Sequence, residues 1–257
     1  MKFKVISANI RFNNPKDGKH DWNGRREIIS EVINNYGADL LGTQEGWQPQ
    51  LKDLDSLLSN LEIVDSHREW IDDRMYPSIF INPTKIKVIE SGDVWLSETP
   101  YIAASKSFGS AFPRVCSWIR ATFLETNEEF FYVNGHLDHV LSETRAKQIE
   151  VLLTEANKNN KNNDPIIMTG DFNESPFEDV RKVINKLNPE LNDAWLELSH
   201  EEHPTHHSFT GNGEGATRID WIMTDKKIRP IEMSLYLNDH EGIYPSDHYP
   251  VLAEYEL

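Results

Sequence analysis

The chain has 257 residues and a single cysteine, Cys116, which suits one domain over 1–257 with a sizeable core and excludes both a disulfide framework and a cysteine-rich zinc cluster. Its formal net charge of −16 lacks the basic footprint of a general duplex-DNA binder, but leaves room for a nucleic-acid substrate held by a local basic site and a metal. No apolar run approaches the roughly 18 residues of a membrane span, and MKFKVISANI reads as a strand rather than a signal peptide, so a cytoplasmic protein without membrane insertion or an obligate protein partner is expected.

Short β-branched and aromatic runs predict strands at Phe3–Ile10, Leu40–Gln44, Ser78–Ile81, Val88–Leu96, Cys116–Glu125, Phe130–His136, Ile166–Thr169, Ile219–Thr224 and Val251–Tyr255. Helical spacing of apolar residues predicts helices over Glu27–Tyr36, Gln48–Ser59, Thr144–Ala156 and Phe177–Leu187. Ser142 is the expected cap of the third helix, and Ser175-Pro176 the expected start of the fourth. Strands and helices mix along the whole chain, with no repeats and no linker, and predict α/β layers over a mostly antiparallel core.

Polar groups recur at the strand ends, where ligands of layered α/β proteins tend to bind. Asn9 ends the first strand, Gln44-Glu45 the second, and His136-Leu137-Asp138-His139 the sixth. Ile166–Thr169 runs into Gly170-Asp171-Phe172-Asn173, Asp220 opens a late strand, and Ser246-Asp247-His248 precedes the last one. Each also has a structural reading. Asn9 would cap a strand, Glu45 a helix, Asp171 and Asn173 an Asx turn, and the histidines would sit in the core. Asp220 is harder to dismiss, because a carboxylate between Ile219 and Trp221 is costly unless paired.

Taken together, the set matches metal-assisted phosphoester hydrolysis. Glu45 suits magnesium or manganese, which take their remaining ligands from water and phosphate. Asp171 would orient or deprotonate a water, His136 and His248 would donate to phosphate oxygens, and Asp220 would hold the His248 ring in one tautomer. Zinc is the competing metal, suggested by His136-x-x-His139 and the cluster His200, His203, His206 and His207.

In order, Ser7-Ala8-Asn9-Ile10-Arg11, Thr43-Gln44-Glu45, Asn134-Gly135-His136-Leu137-Asp138-His139, Gly170-Asp171-Phe172-Asn173, Arg218-Ile219-Asp220-Trp221 and Ser246-Asp247-His248-Tyr249-Pro250 resemble the endonuclease/exonuclease/phosphatase superfamily over essentially the whole chain. The His-Leu form resembles its deadenylase- and sphingomyelinase-type members. Further marks, Gly92 to Pro100, Arg114 to Trp118 and His207 to Gly211, resemble a bacterial group within it.

The resemblance implies a deoxyribonuclease I-like four-layer sandwich of two packed, mixed, mostly antiparallel sheets flanked by helices. It implies Glu45, Asn9 and Asp247 at the metal, and Asp171 activating water with Asn173 beside it. It implies His136 and His248 at the scissile phosphate, with Asp220 behind His248. Arg145, Arg114, His139, Trp95 and His207 are the substrate-binding candidates.

The leading expectation is a phosphodiesterase of nuclease or nucleotide phosphodiesterase type, acting on single-stranded nucleic acid or a nucleotide. A phosphomonoesterase acting on a phosphorylated metabolite and a non-catalytic ligand-binding member are the alternatives.

Overall fold

The computed structural model describes residues 1–257. In the first strand, β1 (Lys2–Asn9), Lys2 and Lys4 face outward, and every residue from Val5 onward is buried. A strand buried on both faces needs cover on both. The remaining elements are α1 (Trp22–Tyr36), β2 (Leu40–Gly46), α2 (Gln48–Leu57), β3 (Glu62–Ile63), β4 (Tyr76–Ile81), β5 (Ile86–Trp95), β6 (Val115–Phe123), β7 (Glu129–His136) and α3 (Ser142–Asn159), then β8 (Ile166–Asp171), α4 (Asp179–Leu187), β9 (Leu191–Asp193), α5 (Ala194–Glu197), β10 (Asp220–Asp225), β11 (Arg229–Leu235) and β12 (Val251–Glu256).

Two six-stranded sheets form, in the orders β11-β12-β1-β2-β4-β3 and β5-β6-β7-β8-β10-β9. Each contains one parallel pair, β1 with β2 and β7 with β8, bridged by α1 and α3. Such pairs require a crossover, and helices supply it. Three apolar layers separate the four structural layers. Phe3, Val5, Phe123 and Tyr255 pack between the sheets, Ile6 and Leu41 pack with Ile29 of α1 and Leu51 of α2, and Val133 and Met168 pack with Ile149 of α3 and Ile184 of α4. The expected sandwich of mixed, mostly antiparallel sheets is the observed one.

Helix α2 starts at Gln48 as expected, but local expectations fail at the other three helix starts. Helix α1 begins at Trp22, ahead of the expected Glu27, because the Asp21 side chain accepts the Gly24 N–H at 2.9 Å and caps it. Ser142 is the first residue of α3 rather than its cap, and its hydroxyl donates to Glu174. Ser175-Pro176 does not open α4. The Glu174 carboxylate instead accepts the N–H groups of Asp179 at 2.6 Å and Val180 at 3.2 Å, so the helix starts where those groups find an acceptor. Strand β11 is unexpected from sequence because it is an edge strand, contains Pro230 and is half polar.

Behind the sheet ends a buried polar network joins the two sheets. Asn134 of β7 donates to the carbonyls of Thr43 (2.8 Å) and Ser78 (3.0 Å), while its Oδ1 accepts from Gln44 at 2.8 Å and Thr169 at 3.1 Å. Gly42 leaves room for this network. A Cβ there would lie 2.6 Å from the Tyr132 hydroxyl, 2.8 Å from Asn134 Oδ1 and closer still to Thr169 Oγ1. Gly42→Ala is therefore expected to cost about 3 kcal/mol of stability, at the upper end for overpacking. Urea unfolding measures this, and a change near zero would mean that the network yields freely.

Candidate active site

The sheet register assembles the first part of the site. His136 ends β7 opposite Asp171, which ends β8, and Asp220 starts β10 opposite Asp171 on its other flank. The other sheet contributes Asn9 at the end of β1. Its Nδ2 donates to Asp171 Oδ2 at 3.0 Å, and its Oδ1 accepts the Arg11 N–H at 2.9 Å. The Asn173 N–H donates to Asp171 Oδ1 at 2.9 Å, and its side chain donates to the Leu137 carbonyl at 3.1 Å. Asn173 has a φ of 52°, a left-handed conformation that asparagine tolerates. His248 enters from the segment before β12, with Nδ1 2.8 Å from Asp220 Oδ2 and Nε2 3.9 Å from Asp171 Oδ2.

The two histidines are set up oppositely. Burial opposes a charge on His248, but Asp220, Asp171 and Asp247 outweigh it and hold its pKa well above the usual value. His136 is driven well below its usual value by burial, with Arg114, His248 and His139 adding to the effect. Arg114 Nη1 lies 3.0 Å from His136 Nδ1, and a guanidinium can only donate. His136 Nδ1 must therefore accept, which leaves the proton on Nε2, 3.5 Å from Asp171 Oδ2. Burial and Asp220 push the Asp171 carboxyl up to about 7, against the lowering effects of His248 and of the Asn9 and Asn173 donors. A raised carboxylate is a stronger base than an ordinary one.

A cleft of about 510 Å³, open to solvent, runs along this edge, and Glu45, Asp247 and His206 line it together with His136, Asp171, Asn173 and His248. Glu45 has a φ of 66° and accepts the Phe12 N–H at 3.2 Å. No lysine, arginine or histidine pairs with Glu45, while Asp247 has only the distant Arg11 Nε at 3.6 Å. Carboxylates on a cleft wall without a close cationic partner fit a divalent cation such as magnesium or manganese, which needs few protein ligands.

The histidines that suggested zinc do not form one cluster. His136 and His139 both turn Nδ1 toward Arg114, at 3.0 and 3.4 Å. The other candidates disperse: His200 packs on Trp195, His203 turns Nδ1 to the Pro204 carbonyl, and His206 and His207 face opposite sides. His206 does approach Asp247 and His248, with one possible ligand atom from each within 4.8 Å of the others.

The model of the Endonuclease/Exonuclease/phosphatase family matches residues 6–248. The chain belongs to this family. No curated protein sequence matches it. Among solved structures it is similar to an endonuclease/exonuclease/phosphatase from Bacteroides vulgatus, with 25% identity, a TM-score of 0.92 and coverage of 100% of this chain and 99% of that one. It is also similar to a mannosyl-6-phosphatase from Bacteroides thetaiotaomicron, with 27% identity, a TM-score of 0.90 and coverage of 99% and 100%. The D. rerio TDP2 structure complexed with a single-strand DNA product shares the fold, at 20% identity, a TM-score of 0.78 and coverage of 100% and 99%.

Within this endonuclease/exonuclease/phosphatase cleft, the structure gathers Glu45, Asp171, Asn173, His136, His248 and Asp247, with Arg114 and His139 beside them. Three expected substrate contacts fall elsewhere. Trp95 is buried in the core, edge-on to Tyr76 at 6.2 Å. Arg145 is committed to Glu174, with its Nε 2.6 Å from Oε2, and so braces the start of α4 instead of reaching a phosphate. His207 is fully buried, stacks on Tyr249 at 3.9 Å and is lowered to about 4 chiefly by burial. Its neighbour His206 faces the cleft, as alternation along an extended segment requires. Sequence reasoning also missed Phe12 and Trp47, which stack at 5.8 Å on the cleft wall. Their signal was position, because each follows a site residue by two or three places.

Proposed function

We propose that this endonuclease/exonuclease/phosphatase protein is a divalent-cation-dependent phosphoesterase that hydrolyses a phosphomonoester, with a phosphorylated sugar as the favoured substrate class. The observation that carries the hydrolase reading is Asp171, a buried carboxylate flanked by Asn9, His136 and His248 at the end of a cleft. In this reading Asp171 takes a proton from the attacking water while Asn9 and Asn173 fix its orientation. His136 donates from neutral Nε2–H, and His248 donates as an imidazolium held by Asp220. Both act on phosphate oxygens as charge builds on them. Glu45 and Asp247 would hold the cation, with the Asn9 amide beside them, and the bound cation would neutralise phosphate charge. The retention of every acid, amide and histidine of the set supports an enzyme over a non-catalytic binder.

Two observations favour a monoester over the diester expected from sequence. One of the similar structures, aligned over nearly all of both chains, is a mannosyl-6-phosphatase. The cleft also mixes Arg11, Arg74 and Arg114 with Glu45, Asp73, Asp171 and Asp247, whereas a nucleic-acid groove tracks the backbone with positive charge.

Phosphate release from hexose phosphates, measured beside cleavage of bis(4-nitrophenyl) phosphate with magnesium, with manganese and with EDTA, tests the proposal. Cation-dependent monoester hydrolysis is expected, and preferential diester cleavage would overturn the monoester assignment. Glu45→Gln is expected to weaken manganese binding about tenfold or more, as loss of a charged ligand should. Titration calorimetry reads this directly, and unchanged affinity would remove Glu45 from the ligand set.

A further inference from the structure

Beside the catalytic row, the cleft opens into a side pocket built by segments outside all six sequence motifs. Asp73, Arg74 and Met75 approach from the loop ahead of β4, and Phe112 and Arg114 from the segment leading into β6. Glu45 and His136 line the same pocket, so whatever occupies it lies next to the reacting phosphate. The second segment is anchored. Asp138, two residues past β7, accepts the Ala111 N–H at 2.8 Å and the Ser110 hydroxyl at 3.1 Å.

The pocket's hydrogen-bonding groups are unfinished. Arg114 is only 7% exposed, and its Nε has no partner. The Nε of Arg74 is also buried without a partner. Neither arginine forms an ion pair, although Arg68, Arg145 and Arg218 each hold a carboxylate. Those two Nε atoms are closed off from the cleft, so the donors these residues offer a ligand are their remaining guanidinium N–H groups, which no carboxylate holds.

Asp73 adds an exposed acceptor. Phe112, 49% exposed and stacked on His139 at 5.8 Å, adds an apolar platform. Donors, an acceptor and an aromatic face in one wall suit a polyol, whose hydroxyls both accept and donate and whose C–H face packs on a ring. A second anion on the substrate would meet the two arginines but also Asp73 and Glu45, which disfavours it.

We infer that this pocket, together with the wider cleft that the same residues line, is the leaving-group subsite, that it takes a polyhydroxylated group, and that Arg74, Asp73 and Phe112 set specificity there. The inference rests on the phosphomonoesterase reading above and adds the residues that select the alcohol. Carbons bearing hydroxyls would lie over Phe112, with their oxygens on Arg74, Arg114 and Asp73.

The test compares kcat/KM for D-mannose 6-phosphate with that for propyl phosphate, an alkyl monoester without hydroxyls, in the cation-loaded wild type and in Arg74→Ala and Phe112→Ala. The ratio of the two values is expected to fall about tenfold or more in Arg74→Ala, because a hydrogen bond to a charged donor is lost for one substrate only. Phe112→Ala is expected to lower the same ratio. Equal losses on both substrates, or a wild-type ratio near one, would overturn the subsite while leaving the phosphomonoesterase standing. If neither ester releases phosphate, that reading falls. What survives of the inference, a site for a polyhydroxylated group, is then decided by calorimetric binding of D-mannose 6-phosphate to wild type and Arg74→Ala. A roughly tenfold weaker Kd in the variant supports it, and equal or absent binding overturns it.

Discussion

Asp171→Asn is expected to lower turnover about 10³-fold, within the range for removing a positioned general base, while leaving the fold intact. The substitution keeps shape and removes charge. Asparagine can still accept the N–H of Asn173 but cannot take a proton from water. Near-wild-type turnover would mean that another group activates the nucleophile. The same variant reports on the electrostatics. A carboxyl with a folded pKa of about 7, against an unfolded value of about 4, binds its proton more tightly in the native state. Its contribution to stability is therefore present below pH 4 and is lost as pH rises toward 7. The stability difference between variant and wild type should move in the variant's favour across that window. Urea unfolding in EDTA at pH 4.5, 6 and 8 measures it without a bound cation, and a constant difference would show that the Asp171 carboxyl is not raised.

The distribution of what the sequence disclosed has a physical basis. His136, Asp171 and Asp220 were legible because strand ends are recognisable and the sheet register then aligns them without further information. The Asp220–His248 contact was legible because a carboxylate among apolar neighbours requires a partner. Arg145 misled because its partner Glu174 comes from a distant turn, and no local pattern reveals that the guanidinium is already used. Trp95 misled because a strand tryptophan reads alike whether it faces core or cleft. His207 misled because which of His206 and His207 faces the cleft depends on the phase of a short extended segment, and a one-residue shift exchanges inside for outside. Phe112 sits on a segment anchored by Asp138 and Asp73 and Arg74 on the loop ahead of β4, so neither periodicity nor motif spacing could have placed them.

Asp220→Asn and His248→Ala are each expected to cost about 10²–10³ in kcat/KM, and the double variant is expected to cost little more than either one. Independent contributions would multiply, to roughly 10⁴–10⁶. Coupling follows from the 2.8 Å contact, since Asp220 sustains the charge on the His248 ring and fixes its orientation, and without the ring Asp220 has nothing to act through. Stability should couple in the opposite sense. His248→Ala strands the Asp220 carboxylate, buried, opposite Asp171 in the sheet register, and with Oδ1 already unpartnered. A stranded buried charge costs about 3 kcal/mol or more. Adding Asp220→Asn to His248→Ala removes that charge and should recover most of the loss, even though activity does not return. Kinetics and urea unfolding on the four proteins separate the two effects. Multiplicative rate losses would place Asp220 outside the action of His248, and failure of the second substitution to restore stability would show that Asp220 carries no unpaired charge once the ring is gone.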